Sequence, residues 1–74
     1  MTSSFTLKMQ WIYAAALYNA NGAALDDFRE AVTILDDIES TARRVLGGAH
    51  PLTKGIEKEL QDARAALRAR EASA

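Results

Sequence analysis

Apolar residues recur every three or four positions between Leu25 and Pro51, in the middle of the chain. The stripe consists of Phe28, Ala31, Val32, Leu35, Ile38, Ala42, Val45 and Leu46. This spacing predicts one amphipathic α-helix, because residues three and four apart lie on the same side of a helix. Acidic residues crowd its start and arginines its end, the order that the helix dipole favours. Such a helix is not stable alone in water, so we expect the flanking segments to cover its apolar side.

The segment before this stripe, from about residue 5 to residue 19, is apolar on nearly every side, and Lys8 and Gln10 are its few polar positions. A helix of this kind is usually buried between two neighbours. It carries more apolar side chains than two partner helices can cover, so we expect part of it to remain exposed as an interaction surface. The candidates for that surface are Leu7, Met9, Ile12, Tyr13 and Leu17.

A third apolar stripe follows Pro51, with one apolar side and one charged side. Its members are Leu52, Ile56, Leu60, Ala63, Ala66 and Leu67. We expect a helix from residue 51 to about residue 70, covered on one side only, with the last residues frayed. Gly55 lowers its helix propensity by roughly 1 kcal/mol relative to alanine.

The connections carry helix-ending and turn signals. Asn19 to Gly22 form the first turn, and Gly47 with Gly48 end the second helix before Pro51 opens the third. Ala24 offers no capping side chain, whereas Asp27 and Glu30 have the spacing of a capping box that would start the second helix late.

Ser3, Ser4 and Thr6 are all candidate caps for the first helix. The predicted fold is all-α: a three-helix antiparallel array in a single domain, residues 1–74, with helices at about 5–19, 25–47 and 51–70.

Composition narrows the range of functions. The 74 residues include nine basic and ten acidic side chains, and this net charge of −1 argues against a nucleic-acid-binding surface. The most apolar run, Trp11 to Tyr18, is too short to cross a membrane, and no secretory signal precedes it, so we expect a soluble, cytoplasmic protein. A chain of this size buries only about 60% of its unfolded surface. Without cysteines or a metal cluster, it needs either very good packing or association with other chains.

Few residues are candidates for catalysis or for binding a metal ion or phosphate. His50 is the single histidine and has no ligand partners at metal-binding spacing, so we interpret it as part of the turn before Pro51. The acidic pairs at 26–27 and 36–37 lie on a helix, where adjacent side chains do not converge on one ion. The arginines at 64, 68 and 70 alternate with acids and are interpreted as a solvated face rather than a phosphate site. We therefore expect no catalytic, cofactor-binding or metal-binding residues, and no enzyme activity.

Three groups of residues resemble a known helical repeat. Trp11, Ala14, Ala15 and Tyr18 have the spacing W-x-x-A-A-x-x-Y, which resembles the first helix of a tetratricopeptide repeat. Ala31, Leu35 and Ile38 resemble the small–large–small triplet of the second helix of that repeat. Residues 44–51, RVLGGAHP, which include Gly47, His50 and Pro51, resemble the R-x-L-G-x-x-H-P junction of repeats of the kinesin-light-chain type.

The resemblance covers residues 6–51 as one repeat and implies that the third helix is a capping helix. It implies a protein–protein interaction module, the C-terminal portion of a repeat array, whose partners are neighbouring repeats or another protein chain. Where the family commonly has an asparagine that clamps a peptide backbone, this chain has Ile12, which cannot make that hydrogen bond. The alternative is a small helical bundle that self-associates and has a structural role. Neither hypothesis involves nucleic acid, a membrane or a cofactor.

Overall fold

A computed structural model describes residues 4–19 and 22–73. Within these residues the chain forms three α-helices: α1, Ser4–Asn19; α2, Leu25–Leu46; and α3, Pro51–Ser73. Helix α2 is central and packs along both α1 and α3, which contact each other much less. Successive helices run in opposite directions, so the predicted all-α, three-helix antiparallel array is confirmed.

The core lies on the predicted apolar side of α2. The α2 residues buried there are Phe28, Ala31, Leu35, Ile38 and Ala42. Helix α3 contributes Ile56, Leu60 and Ala63, and α1 contributes Leu7 and Ala14. Because many of these residues are alanines, the three helix backbones approach closely. Val45, which belongs to the predicted stripe, lies in the last turn of α2 and is 46% exposed.

The start of α2 differs from the late start that a capping box at Asp27 and Glu30 would give. The helix begins at Leu25, and the backbone N–H of Ala24 donates a hydrogen bond to Oδ2 of Asp27 at 2.9 Å. This is half of a capping box, since alanine has no side-chain oxygen to return the bond. At the other end, Gly47 has φ of +91°, a conformation that favours glycine, and its N–H donates to the Arg43 carbonyl at 3.1 Å.

Helix α1 begins at Ser4, among its candidate caps. Ser3 lies outside the described residues, and Ser4 and Thr6 are already within the helix.

Helix α3 extends to Ser73, three residues beyond the predicted end at 70. Arg70 donates a hydrogen bond to the carbonyl oxygen of Ala23 at 2.6 Å, and its guanidinium carbon lies 5.1 Å from the centre of the Phe28 ring. The helix therefore continues through residues 71–73, which were expected to fray, and the contacts of Arg70 link its last turns to the start of α2.

Three ion pairs join α2 to α3, and we call them the interhelix ladder. They are Arg29 with Glu71 at 3.5 Å, Asp36 with Arg64 at 3.3 Å, and Arg43 with Glu57 at 2.6 Å. The pairs lie seven residues apart on each helix, and the sign of the charge alternates along both. Exposed pairs contribute little stability individually, but alternation opposes a slip of one heptad, which would bring like charges together.

The last pair of the ladder belongs to a small network. Arg43 also donates hydrogen bonds to Glu39 one turn earlier on α2, at 2.6 and 2.9 Å. The hydrogen bonds and charge of Glu39, followed by those of Glu57, raise the pKa of Arg43 above its ordinary value. Arg43 is therefore charged across the neutral pH range, as arginine side chains generally are.

Candidate interaction surface

The most exposed large apolar side chains lie together on one side of α1. Phe5 is 70% exposed, Met9 52%, Ile12 58% and Tyr13 55%. Among the described residues, five large apolar side chains are exposed to this degree, and four of them are these. Together with Ala16, which is also exposed, we call these residues the outer face of α1.

Two apolar stripes on one helix explain this exposure. The inner stripe is Leu7, Trp11, Ala14 and Tyr18, and the outer stripe is Phe5, Met9, Ile12 and Ala16. Both follow steps of four, three and four residues, so each forms a continuous ridge along the helix. The inner stripe packs on α2 and α3 and joins the core. No third neighbour covers the outer stripe within the described residues.

The predicted surface residues divide into three groups. Met9, Ile12 and Tyr13 are exposed, as expected. Leu7 is fully buried, so its assignment to the surface is wrong: it lies on the inner stripe, in contact with the core. Leu17 is half-buried and packs against the core at the edge of the surface. Phe5 was not among the predicted surface residues, although Phe5 lies four residues before Met9 and seven before Ile12.

Trp11 holds α1 against α3. Its indole ring lies directly over Gly55, where a Cβ atom would come within 2.6 Å of Cη2 of the ring. The indole N–H donates a hydrogen bond to Oε1 of Glu59 at 3.3 Å. The glycine that weakens α3 thus makes room for the tryptophan.

The other residues that resemble positions of a tetratricopeptide repeat also pack in or beside the core. The Tyr18 ring lies 5.9 Å from the Phe28 ring at the opposite end of α1. Ala14, Ala31 and Leu35 are fully buried, Ile38 is nearly so, and Ala15 is half-buried. Any close three-helix array needs such contacts.

The junction residues form the turn that starts α3. Nδ1 of His50 accepts a hydrogen bond from the backbone N–H of Leu52 at 3.1 Å, and Pro51 occupies the first helical position. This side-chain cap satisfies a backbone donor that the helix itself leaves unpaired. His50 therefore acts as a cap, which agrees with its interpretation as a turn residue. Gly47, at the start of this turn, is exposed.

The two long edges of the outer face differ in charge. Lys8 lies on the edge facing α3, where it lines an open groove of about 570 Å³ with Phe5, His50, Pro51 and Leu52. On the edge facing α2, the Tyr13 hydroxyl donates a hydrogen bond to Oε2 of Glu30 at 3.4 Å. The apolar face thus has a cation along one edge and a carboxylate along the other.

Other kinds of site find no support in the described part of the chain. Within residues 4–19 and 22–73, no group of three or more His, Cys, Asp or Glu side chains is placed to hold a metal ion. None of the helices found there combines the length and the apolar character that crossing a membrane requires.

Comparisons with known proteins identified no relative of this chain. No protein-family model matches the chain, and neither a curated protein nor a solved structure matches it significantly.

Proposed function

We propose that the chain is a non-enzymatic protein–protein interaction module that docks through the outer face of α1. The observation that carries this proposal is the exposure of Phe5, Met9, Ile12 and Tyr13 on one helix of a 74-residue chain. Exposed apolar patches of a few hundred Å² on small proteins commonly mark interaction sites. The mechanism is burial of this face against a protein, with the charged edges setting orientation.

The resemblance to tetratricopeptide repeats supports the same proposal. In that reading α1 and α2 are the helical hairpin of one repeat, α3 is a capping helix, and the outer face of α1 receives a neighbouring repeat. The alternative is a structural bundle in which this face receives another copy of the chain. Both hypotheses use the same surface, so one experiment can test the surface before its occupant is known.

Site-specific photo-crosslinking in cells that naturally make the protein is that experiment. A benzoylphenylalanine replaces Ile12 in the centre of the outer face, and a matched control carries it in place of Gln61, which is exposed on α3. The probe at position 12 should give a discrete crosslinked protein, and the probe at position 61 should not.

Adding a Met9→Lys substitution to the position-12 probe chain should abolish the crosslink while leaving the helical circular dichroism unchanged, because Met9 is mainly exposed. Equal or absent crosslinking at positions 12 and 61 would overturn the proposal. Further copies of the L-G-x-x-H-P junction in the flanking coding sequence would favour the repeat-array hypothesis over the bundle.

A further inference from the structure

The outer face of α1 has the spacing of a helix-pairing seam. Phe5, Met9, Ile12 and Ala16 lie at alternating steps of four and three residues, which places them at the d and a positions of successive heptads. Lys8 then falls at a g position and Tyr13 at an e position, one on each side of the seam. This is the arrangement by which one helix pairs with another of similar length and character.

The charges on the edges make this face complementary to itself. Lys8 is the one charged residue of α1 and lies on its α3 side, whereas Glu30 lies on its α2 side beside Tyr13. A two-fold axis parallel to α1 brings the α3 side of one copy against the α2 side of the other. Lys8 of each copy then faces Tyr13 and Glu30 of its partner, five residues along, as g and e positions do in parallel pairs. A perpendicular two-fold axis would instead bring Lys8 edges together and Glu30 edges together.

The exposed area is close to what a dimer requires. The four large side chains of this face are between 52% and 70% exposed. They present roughly 350–600 Å² per copy, if a large side chain buries about 150–250 Å² in full. Two copies would bury roughly 1,000 Å², about the lower bound for a specific interface. A contact at this lower bound suits a weak, reversible dimer.

We infer that the outer face of α1 binds a second copy of this chain, with the two α1 helices parallel and Lys8 of each copy paired with Glu30 of the other. The inference rests on the proposed function, since it names the occupant of the same surface.

Sedimentation equilibrium from about 1 µM to 1 mM tests for the dimer, because this range covers weak, reversible association. The wild-type chain should pass from monomer to dimer across this range. Ile12→Glu should remain monomeric, and Gln61→Glu, on the solvated side of α3, should match the wild type. A wild-type chain that stays monomeric at 1 mM would overturn the inference.

Charge reversal tests the partner edge and the orientation. Lys8→Glu and Glu30→Lys should each weaken the dimer about tenfold, because each places like charges across both edges of the pair. An equimolar mixture of the two variants should form a heterodimer of nearly wild-type affinity, since both edges are then oppositely charged. The double variant K8E/E30K should also dimerise, which shows that neither substitution acts by unfolding the chain.

Two outcomes of the charge reversals would contradict the parallel pairing. An antiparallel dimer would be unchanged by Lys8→Glu, because one like-charged contact between the two adjacent edges would replace another. The mixture of single variants would then dimerise more tightly than the wild-type chain, because oppositely charged contacts would replace the like-charged ones along both edges.

The crosslinking experiment separates this inference from the proposed function. A crosslink from position 12 to another copy supports both. A crosslink to a different protein supports docking through α1 and overturns the second copy as its occupant. A dimer that forms in sedimentation and persists in Ile12→Glu would place the contact between copies on another surface and overturn this inference, while the crosslink from position 12 would still test the proposed function.

Discussion

A single glycine on α3 illustrates how packing outweighs helix propensity at one residue. Gly55 costs its helix roughly 1 kcal/mol relative to alanine. Its missing side chain, however, lets the edge of the Trp11 six-membered ring approach the α3 backbone while the indole N–H reaches Glu59. This is the main bridge between α1 and α3, which otherwise contact each other little.

We expect Gly55→Ala to destabilise the protein even though alanine is the better helix former. The new Cβ would lie 2.6 Å from Cη2 of Trp11, so the rigid indole must move out of its place. Overpacking of this kind costs about 1–3 kcal/mol, which lowers the melting temperature by several degrees in a domain of this size. Thermal denaturation followed by circular dichroism measures the change.

The sign of the effect should reverse when the clash is removed. In a Trp11→Leu background, Gly55→Ala should raise the free energy of unfolding by up to about 1 kcal/mol, because only helix propensity remains. A stabilising Gly55→Ala in the wild-type background would show that the indole does not depend on the glycine.

Thr53 is a second residue whose chemistry does not match its surroundings. It is fully buried in α3, and its hydroxyl has no hydrogen-bond partner. We expect Thr53→Val to raise the free energy of unfolding by about 1 kcal/mol, since a methyl of similar shape replaces a desolvated polar group. Urea denaturation measures this change in the free energy of unfolding, provided that the variant and the wild type have the same m-value. Thr53→Ser, which keeps the hydroxyl and loses a methyl, is the matched control and should destabilise.

At the scale of helices, the interhelix ladder fixes how α2 and α3 align. Asp36→Arg should lower stability by about 0.5–1 kcal/mol, because the middle pair with Arg64 becomes a like-charge contact. Arg64→Asp should do the same, and D36R/R64D should recover most of the loss. The coupling energy from this double-mutant cycle should shrink in 1 M salt, where exposed charges are screened. A cycle without coupling at low salt would argue against the pair.

Helix boundaries could be read from the sequence wherever local chemistry sets them. Gly47, with its positive φ, ends α2, and Pro51 with the His50 cap begins α3. The end of α3 could not be predicted in this way, because it depends on Arg70 reaching Ala23, a residue 47 positions away. The pairing within the interhelix ladder could not be predicted either. Its seven-residue spacing is visible in the sequence, but which charges pair depends on the register in which α2 and α3 pack.

The sequence predicts that α1 has an exposed apolar face, but not which residues form it. The sequence shows that α1 carries more apolar residues than its neighbours can cover. It does not show which stripe turns inward, since Phe5 and Leu7 begin two ridges of equal spacing and similar hydrophobicity. That choice is made by Trp11 against Gly55 and by Tyr18 against Phe28, contacts between residues far apart in the chain.

For the whole molecule, small size and an open apolar face are linked. A domain of this length buries about 60% of its unfolded surface and has little stability to spare. Leaving Phe5, Met9, Ile12 and Tyr13 exposed withholds apolar area from the core of the single chain. Burying that area in a second copy would add stability to the folded state alone, because the unfolded chain has no such face.

The melting temperature of the wild-type chain should therefore rise with protein concentration. Above the dissociation constant, each tenfold increase in concentration adds about 1.4 kcal/mol per dimer to the folded state, which corresponds to a shift of a few degrees. Calorimetry at about 10 µM and 1 mM, two concentrations within the range used for sedimentation, measures this shift. Ile12→Glu should melt at the same temperature at both concentrations, close to the dilute wild type, because position 12 contributes little to the core of the monomer. If the melting temperature of the wild-type chain were equally independent of concentration, the outer face of α1 would not stabilise the protein by association, and the proposed dimer would be contradicted.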